Sequence, residues 1–383
     1  MPVFDILLKG GTLIDPSQGI SMEADVGIIV PNIAQIIKPG ESSIIYKECI
    51  DVSGSVVVPG LIDFHSHIFE GGMSIAVDPE HLIRQGVVAT VDGGSVGYPS
   101  FSYFRKKIMM NSRVWTNAVI NLSGFGILML HESEFARPGF IDEKELARTI
   151  EIHNDVVLGI KLRFSKQQVG ENGLDILQRA KKIARDLDVR LFVHSTDPPI
   201  PYPKLLNELD SGDVLLHMYH GRGFKLLNSE GKVWEEAWEA KKRGVIFDCA
   251  HGMSHFNFDV ARKAIEQGFL PDIVSSDMTS LGLCRPNFCE LPTVISELIA
   301  LGMKFEDVLL RCTKNPAELM KGIKSGIKVG FPANLTVLKT EERNIEFYDS
   351  EGQIMKANKL IVPQLTMIQG EVVYKKDSST IIC

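Results

Sequence analysis

The segment Asp63-Phe64-His65-Ser66-His67 puts two imidazoles two positions apart at the end of an apolar run opened by Val58-Pro59-Gly60. Residues two apart on a strand share a face, so His65 and His67 can hold one divalent ion side by side. Paired polar residues also occur on strands for structural reasons, and the pair alone leaves both readings open. Three later apolar runs carry the same kind of residue, in Val193-His194-Ser195, Leu216-His217-Met218 and Ser276-Asp277-Met278. A polar side chain in an apolar strand costs free energy unless it is satisfied. One such histidine reads as a satisfied core residue; four histidines and an aspartate at successive strand ends read as metal ligands.

The run Leu158-Gly159-Ile160-Lys161-Leu162-Arg163 sets a lysine in an otherwise apolar strand. A buried ammonium is costly, and a desolvated amine loses its proton readily. Lys161 can be paired with a neighbouring carboxylate, or its neutral amine can take up CO₂. The resulting carbamate has two oxygens able to bridge two cations. Arg163 falls on the same face nearer the mouth, where its guanidinium fork suits a substrate carboxylate, a salt bridge being the alternative. His251 gains close backbone access to a ligand from Gly252 and is a pocket candidate. His220 is either a pocket residue or a surface one, and His255 ranks lower. His81, His131 and His153 have no comparable placement, although His153 ends a predicted helix, where an imidazole suits the dipole.

Positioning these groups on one rim requires parallel strands. Eight strand candidates stand in order: Val56–His67, Val87–Gly93, Val114–Leu122, Val156–Phe164, Val189–Ser195, Val214–Tyr219, Val245–Cys249 and Ile273–Asp277. Amphipathic helices separate them, among them Asp142–His153, where Asp142 and Glu145 form a predicted capping box, Asp175–Leu187 and Val233–Arg243. This alternation over about 220 residues predicts an α/β fold, a (β/α)₈ TIM barrel spanning 56–327. An open doubly wound sheet alternates likewise, but eight strands with chemistry at their ends favour closure. The Pro-dense stretch Pro198–Pro203 is expected to be a stiff loop shaping the pocket. Short β runs at Ile6–Leu8, Asp25–Val30 and Ile33–Ile37 are matched by Asn334–Leu338 and Leu365–Tyr374, the last with a hairpin turn at Gly370. Neither end has strands enough for its own core, so 1–55 and 328–383 are expected to form one small β-sandwich domain.

The composition narrows the partners. A net charge of −7 with no basic stripe disfavours nucleic acid and leaves a small-molecule substrate. The six cysteines, at 49, 249, 284, 289, 312 and 383, are scattered and include no CxxC pair, which indicates neither a disulfide scaffold nor a thiolate zinc site and fits reduced thiols in the cytoplasm. The apolar start Phe4–Leu8 reaches Lys9 too soon for a signal core, and no run approaches the roughly 20 residues of a membrane span. A chain of this size is commonly a symmetric homo-oligomer.

The segments Gly60–His67, Gly159–Arg163, Val193–Ser195, Leu216–Gly221 and Ser275–Asp277 resemble the metal-site motifs of the amidohydrolase superfamily. Asp5–Pro16, Ala24–Ile37, Thr313–Ala317, Ala333–Leu338 and Met367–Tyr374 resemble its terminal β segments, so the likeness covers nearly the whole chain. His67–Gly72, Gly159–Arg163 and Phe247–Gly252 are most similar to the dihydroorotase-like deacetylases. The resemblance implies that His65, His67 and Asp277 hold the more buried of two divalent ions and that His194 and His217 hold the other. Carboxylated Lys161 would bridge them. Zinc is the expected metal, and the imidazole and carboxylate donors also suit manganese.

It further implies hydrolysis of an amide or ester, in deacetylation of N-acetyl or O-acetyl amino or hydroxy acids. An ion-bound hydroxide attacks the carbonyl, and Asp277 serves as general acid and base. A cyclic-amide hydrolase of the dihydroorotase kind is the nearest alternative. Family dihydroorotases carry arginine two residues beyond the second histidine, where this chain has Phe69. A mononuclear adenine deaminase would lack the lysine, and a non-catalytic scaffold barrel would have lost ligands.

Overall fold

The computed structural model describes residues 3–41, 44–70, 75–127, 140–170, 173–283 and 289–376. His131, Gly71, Gly72, Cys284 and Cys383 lie outside them.

The chain opens with β1 (Val3–Lys9), β2 (Thr12–Asp15), β3 (Ile20–Glu23), β4 (Asp25–Ile29), β5 (Asn32–Ile37), β6 (Ile45–Asp51) and β7 (Val56–Pro59). Then come β8 (Leu61–Ser66), β9 (Val87–Asp92), β10 (Trp115–Asn121), β11 (Val157–Arg163), β12 (Arg190–His194), β13 (Val214–Leu216) and β14 (Ile246–Asp248). The last three are β15 (Leu335–Tyr348), β16 (Ile354–Ile368) and β17 (Glu371–Lys375). β8 to β14 form a seven-stranded sheet in sequence order, every neighbouring pair parallel.

The expected eighth strand, Ile273–Asp277, does not form as a continuous strand: the segment makes only isolated bridges, Ile273 to Asp248 and, just past its end, Met278 to Ser66, and Asp277 has φ +52°, outside the extended region. Its segment nevertheless bonds to both edges of the sheet. Cys249 N–H donates to Ile273 O and His251 N–H to Ser275 O on one side, at 3.0 and 3.1 Å. On the other side Asp277 N–H donates to His65 O at 2.8 Å and His67 N–H to Met278 O at 2.9 Å.

The apolar runs divide as strand alternation requires. On β12, Phe192 joins an inner cluster with Phe64, Val119 and Leu216, while Leu191 and Val193 join the cluster that also contains the helix residues Leu177, Ala180 and Ile183. The helices follow their signals. Asp142 caps Glu143–Ile152 by accepting from the N–H groups of Lys144 and Glu145, each at 3.1 Å. The predicted capping box is only half formed, since Asp142 N–H donates to the Tyr98 hydroxyl at 2.8 Å. Gly173–Asp186 and Glu235–Arg243 occupy the other two predicted helical stretches.

Val56–His67 is two strands. β7 pairs with β2 and β15 in a six-stranded sheet of order β17-β16-β15-β7-β2-β3, and β8 begins after Gly60. A Cβ at Gly60 would lie 2.5 Å from the Val88 methyls, so the crossing between sheets needs glycine. A four-stranded sheet, β5-β4-β1-β6, completes the chain-end structure. One apolar cluster draws on both chain-end sheets, with Ile6, Val26 and Ile33 from the smaller and Val57, Val337 and Met367 from the larger. The hairpin at Gly370 joins β16 to β17, its turn residues Gln369 and Gly370 having φ of +50° and +81°. Among the described residues no helix is long and apolar enough to cross a membrane.

Candidate metal centre

At the carboxyl ends of the parallel strands the ligand candidates converge. His65, His67 and Asp277 bring one donor atom each within 4.8 Å of one another, and His194, His217 and His255 do the same. Asp277 Oδ1 lies 3.1 Å from His67 Nε2 and 3.5 Å from His65 Nε2, and Oδ2 lies 3.9 Å from His255 Nε2. Lys161 Nζ sits 3.3 Å from His65 Nε2. All six sequence-predicted ligands are therefore neighbours, and all are buried.

Local backbone choices make this possible. On β13, Val214 and Leu216 face the inner cluster and Leu215 the outer one, so an unbroken strand would send residue 217 outward. A φ of +64° at His217 ends the strand early and turns the imidazole in, which is why β13 stops short of Tyr219. Asp197, Ala250 and Asp277 also have positive φ, and such non-glycine residues concentrate at functional sites. Gly93 and Gly94 clear the floor. A Cβ on Gly93 would stand 2.3 Å from the His65 ring, and one on Gly94 2.6 Å from Lys161 Cβ.

The donor set suits divalent cations. Burial pushes the imidazoles of His65, His194 and His217 well below their ordinary pKa, with neighbouring cationic groups adding to the effect, so they stay neutral. Burial would raise Asp277, but His65 and His67 more than offset it and hold the carboxyl below the usual range. Outer partners orient the rings: His67 Nδ1 is 2.7 Å from Ser95 Oγ, and His217 Nδ1 is 2.6 Å from Ala250 O. Fixing Nδ1 in this way leaves Nε2 for a metal. Beneath them, burial raises Asp63 to about 6, against hydrogen bonds from Ser276.

A cavity of about 90 Å³ opens over these groups, bounded also by Arg163, His255, Ile75, Ile127 and Thr279. Arg163 thus shares the Lys161 face as expected. His251 does not line the cavity. It is fully buried, stacked on Phe256 at 4.3 Å with Nε2 2.8 Å from Glu297 Oε2. Gly252 brings the backbone close to Asp277, where a Cβ would be 2.3 Å from Oδ2. His220 is buried too, its ring 5.9 Å from that of Tyr202, and is neither on the surface nor in the cavity lining.

Pro198–Pro203 contributes nothing to the lining; Pro201 instead precedes the helix Tyr202–Glu208. His153 engages Ser102 Oγ and Arg105 Nη1 at 3.0 Å, and burial followed by Arg105 lowers its pKa, so it is no cation for the helix dipole. The residue undervalued by sequence reasoning is His255. It follows no apolar strand, and its only signal was proximity to Ala250-His251-Gly252.

No protein-family profile matches the chain. It is 31% identical over 331 residues to a deacetylase of Brucella anthropi, covering 85% of this chain and 82% of that one. A deacetylase of Agrobacterium fabrum is 31% identical over 329 residues, with 85% and 80% covered. Among solved structures, an adenine deaminase superposes with TM-score 0.87 at 28% identity, covering 97% of this chain and all of that one, 100%. A dihydroorotase superposes with TM-score 0.85 at 28% identity, covering 96% and 98%. The chain belongs to the amidohydrolase superfamily and is a metal-dependent hydrolase.

Proposed function

We propose that the protein is a binuclear deacetylase acting on N-acetyl or O-acetyl amino or hydroxy acids. The observation that carries this reading is the convergence of His65, His67 and Asp277 with His194 and His217 around Lys161, whose charge weighs on His65, His194 and His217 alike. His65, His67 and Asp277 would hold one ion and His194 and His217 the other, with Lys161 bridging as its carbamate. Zinc is the ion we favour. When bound, the pair supplies a water of lowered pKa and a Lewis acid for the substrate carbonyl. Asp277 takes the proton of the attacking water and returns it to the departing amine or alcohol as the acyl bond breaks, an assistance of roughly 10²- to 10⁴-fold. Arg163 orients a substrate carboxylate from the cavity wall.

The segment 273–278, bonded on both sides, supports reading the sheet as a (β/α)₈ barrel over 56–327. The apolar cluster shared by two sheets supports a sandwich of 1–55 and 328–383, with β7 reaching into it.

Against the dihydroorotase alternative stands Phe69, buried with its ring 5.2 Å from that of Phe104 and 6.4 Å from that of Tyr103. That aromatic nest has no use for a substrate-binding guanidinium. Lys161 disfavours a mononuclear deaminase. A hydrolysis screen of both stereoisomers of N-acetyl and O-acetyl amino and hydroxy acids, beside dihydroorotate and adenine, tests the reading. Turnover is expected with acetylated acids, and Arg163→Met should raise KM for them far more than for neutral esters. Turnover confined to dihydroorotate or adenine would overturn the substrate class.

A further inference from the structure

One element from the far end of the chain reaches the site face. β15 and β16 make a long antiparallel hairpin rooted in the chain-end sheet, and its tip, 349–353, lands on the segment that follows His255. Ser350 donates twice to the Phe256 carbonyl, from its N–H at 2.9 Å and its hydroxyl at 2.6 Å. Buried Asp349 accepts from Phe258 N–H through Oδ2 at 3.1 Å. Its Oδ1 meanwhile closes the tip by accepting from the N–H groups of Glu351 and Gln353 at 2.8 and 2.9 Å.

Phe256 is gripped from within as well, by its stacking on His251. His255 is the next residue back. Its Nδ1 is 2.9 Å from Thr196 Oγ1, and its ring lies 4.2 Å from that of His217. Its side chain is 21% exposed, against 2% for His65 and His217, so it is the imidazole open to a substrate.

We propose that Asp349 and Ser350 are positioning residues: the hairpin tip is a strut that fixes the His255 imidazole against the rings of His194 and His217, where it contacts the acyl group under attack. The role of the imidazole rests on the deacetylase reading above; the strut rests on the bonds at the tip. Barrel loops are ordinarily the mobile part of such a fold, and a catalytic face needs its groups held closely. Two donors on one carbonyl fix the peptide plane after Phe256, and the capped start of Phe258–Glu266 fixes the next one. The chain-end structure thereby reaches the chemistry, a displacement of about 1 Å being able to cost on the order of 10²-fold in rate.

Two measurements test this separately. In a double-mutant cycle, Ser350→Ala is expected to lower kcat about tenfold with KM changed less than about twofold, Ser350→Thr to restore it, and Ser350→Ala to cost nothing further on a His255→Gln background. Equal losses on both backgrounds, as a general structural role would give, would overturn the proposal. Amide hydrogen exchange needs no substrate. In Ser350→Ala and in Asp349→Asn, exchange over 253–258 should rise at least about tenfold while β11 and β12 keep their protection. Unchanged exchange, or a rise across the whole chain, would remove the strut. Local deprotection together with no acyl-substrate turnover would leave the strut standing and sink the deacetylase reading instead.

Discussion

Lys161 shows why the candidate ligands were legible as residues. An ammonium or imidazole inside an apolar strand is a visible anomaly, and five such anomalies with an aspartate point to one place. His255 raised no such flag, since it lies in a loop where a histidine is unremarkable. His251, a pocket candidate from its flanking glycine, lies outside the cavity lining, and Gly252 packs against the Asp277 carboxylate. Asp248 illustrates the cost of burying an acid. Burial pushes its carboxyl up to about 8, while Ser275 and Ala250 donate only to Oδ1. The folded chain therefore keeps a proton that the unfolded chain releases from about pH 4 upward. The stability tied to this group is full below about pH 4 and is lost as pH rises through about 8. Asp248→Asn keeps the acceptor and needs no proton, so Tm of the metal-free variant should fall less than that of the wild type between about pH 5 and pH 8.5. Parallel Tm profiles would contradict the assignment.

From β9 to β14 the apolar runs place both strand bounds within one residue, except at the end of β13. β13 and the eighth segment stop where His217 and Asp277 enter the left-handed region, a choice that leaves no mark in composition. β3 and β6 went unseen, as did most of the β15–β16 hairpin, while β2 falls within Asp5–Pro16, marked as β only by resemblance. In β15 the burial turns from four buried residues at Leu335–Leu338 to mostly exposed charged ones, so no alternation announced it. The turn Gly93-Gly94 positions the site as an element. Gly93→Ala would drive a methyl into the His65 ring, 2.3 Å away. We expect kcat/KM to fall by on the order of 10² with far-UV circular dichroism unchanged. Wild-type kinetics in that variant would mean that the turn has slack.

The two parts of the molecule are joined through buried polar contacts as well as through β7. Fully buried Thr336 donates to Gly86 O at 2.6 Å and accepts from Leu61 N–H at 3.3 Å, tying β15 to the start of β8. Thr336→Val removes both of these bonds but leaves Leu61 N–H donating to Gly86 O at 3.2 Å, so it should lower stability by about 1 kcal/mol in urea unfolding of the metal-free protein. A change below about 0.5 kcal/mol would show that the contact is incidental. Pairing across the ends of the chain was anticipated because neither end has strands enough alone. Its reach onto the face that carries the candidate site was not, since no local pattern encodes where a hairpin tip lands. Binuclearity of the whole chain is the most direct test of the central claim. After reloading with zinc and bicarbonate, metal analysis should find about two ions per wild-type chain and no more than about one in Lys161→Met. Fewer than one ion in the wild type, or two in Lys161→Met, would contradict a centre bridged by that lysine.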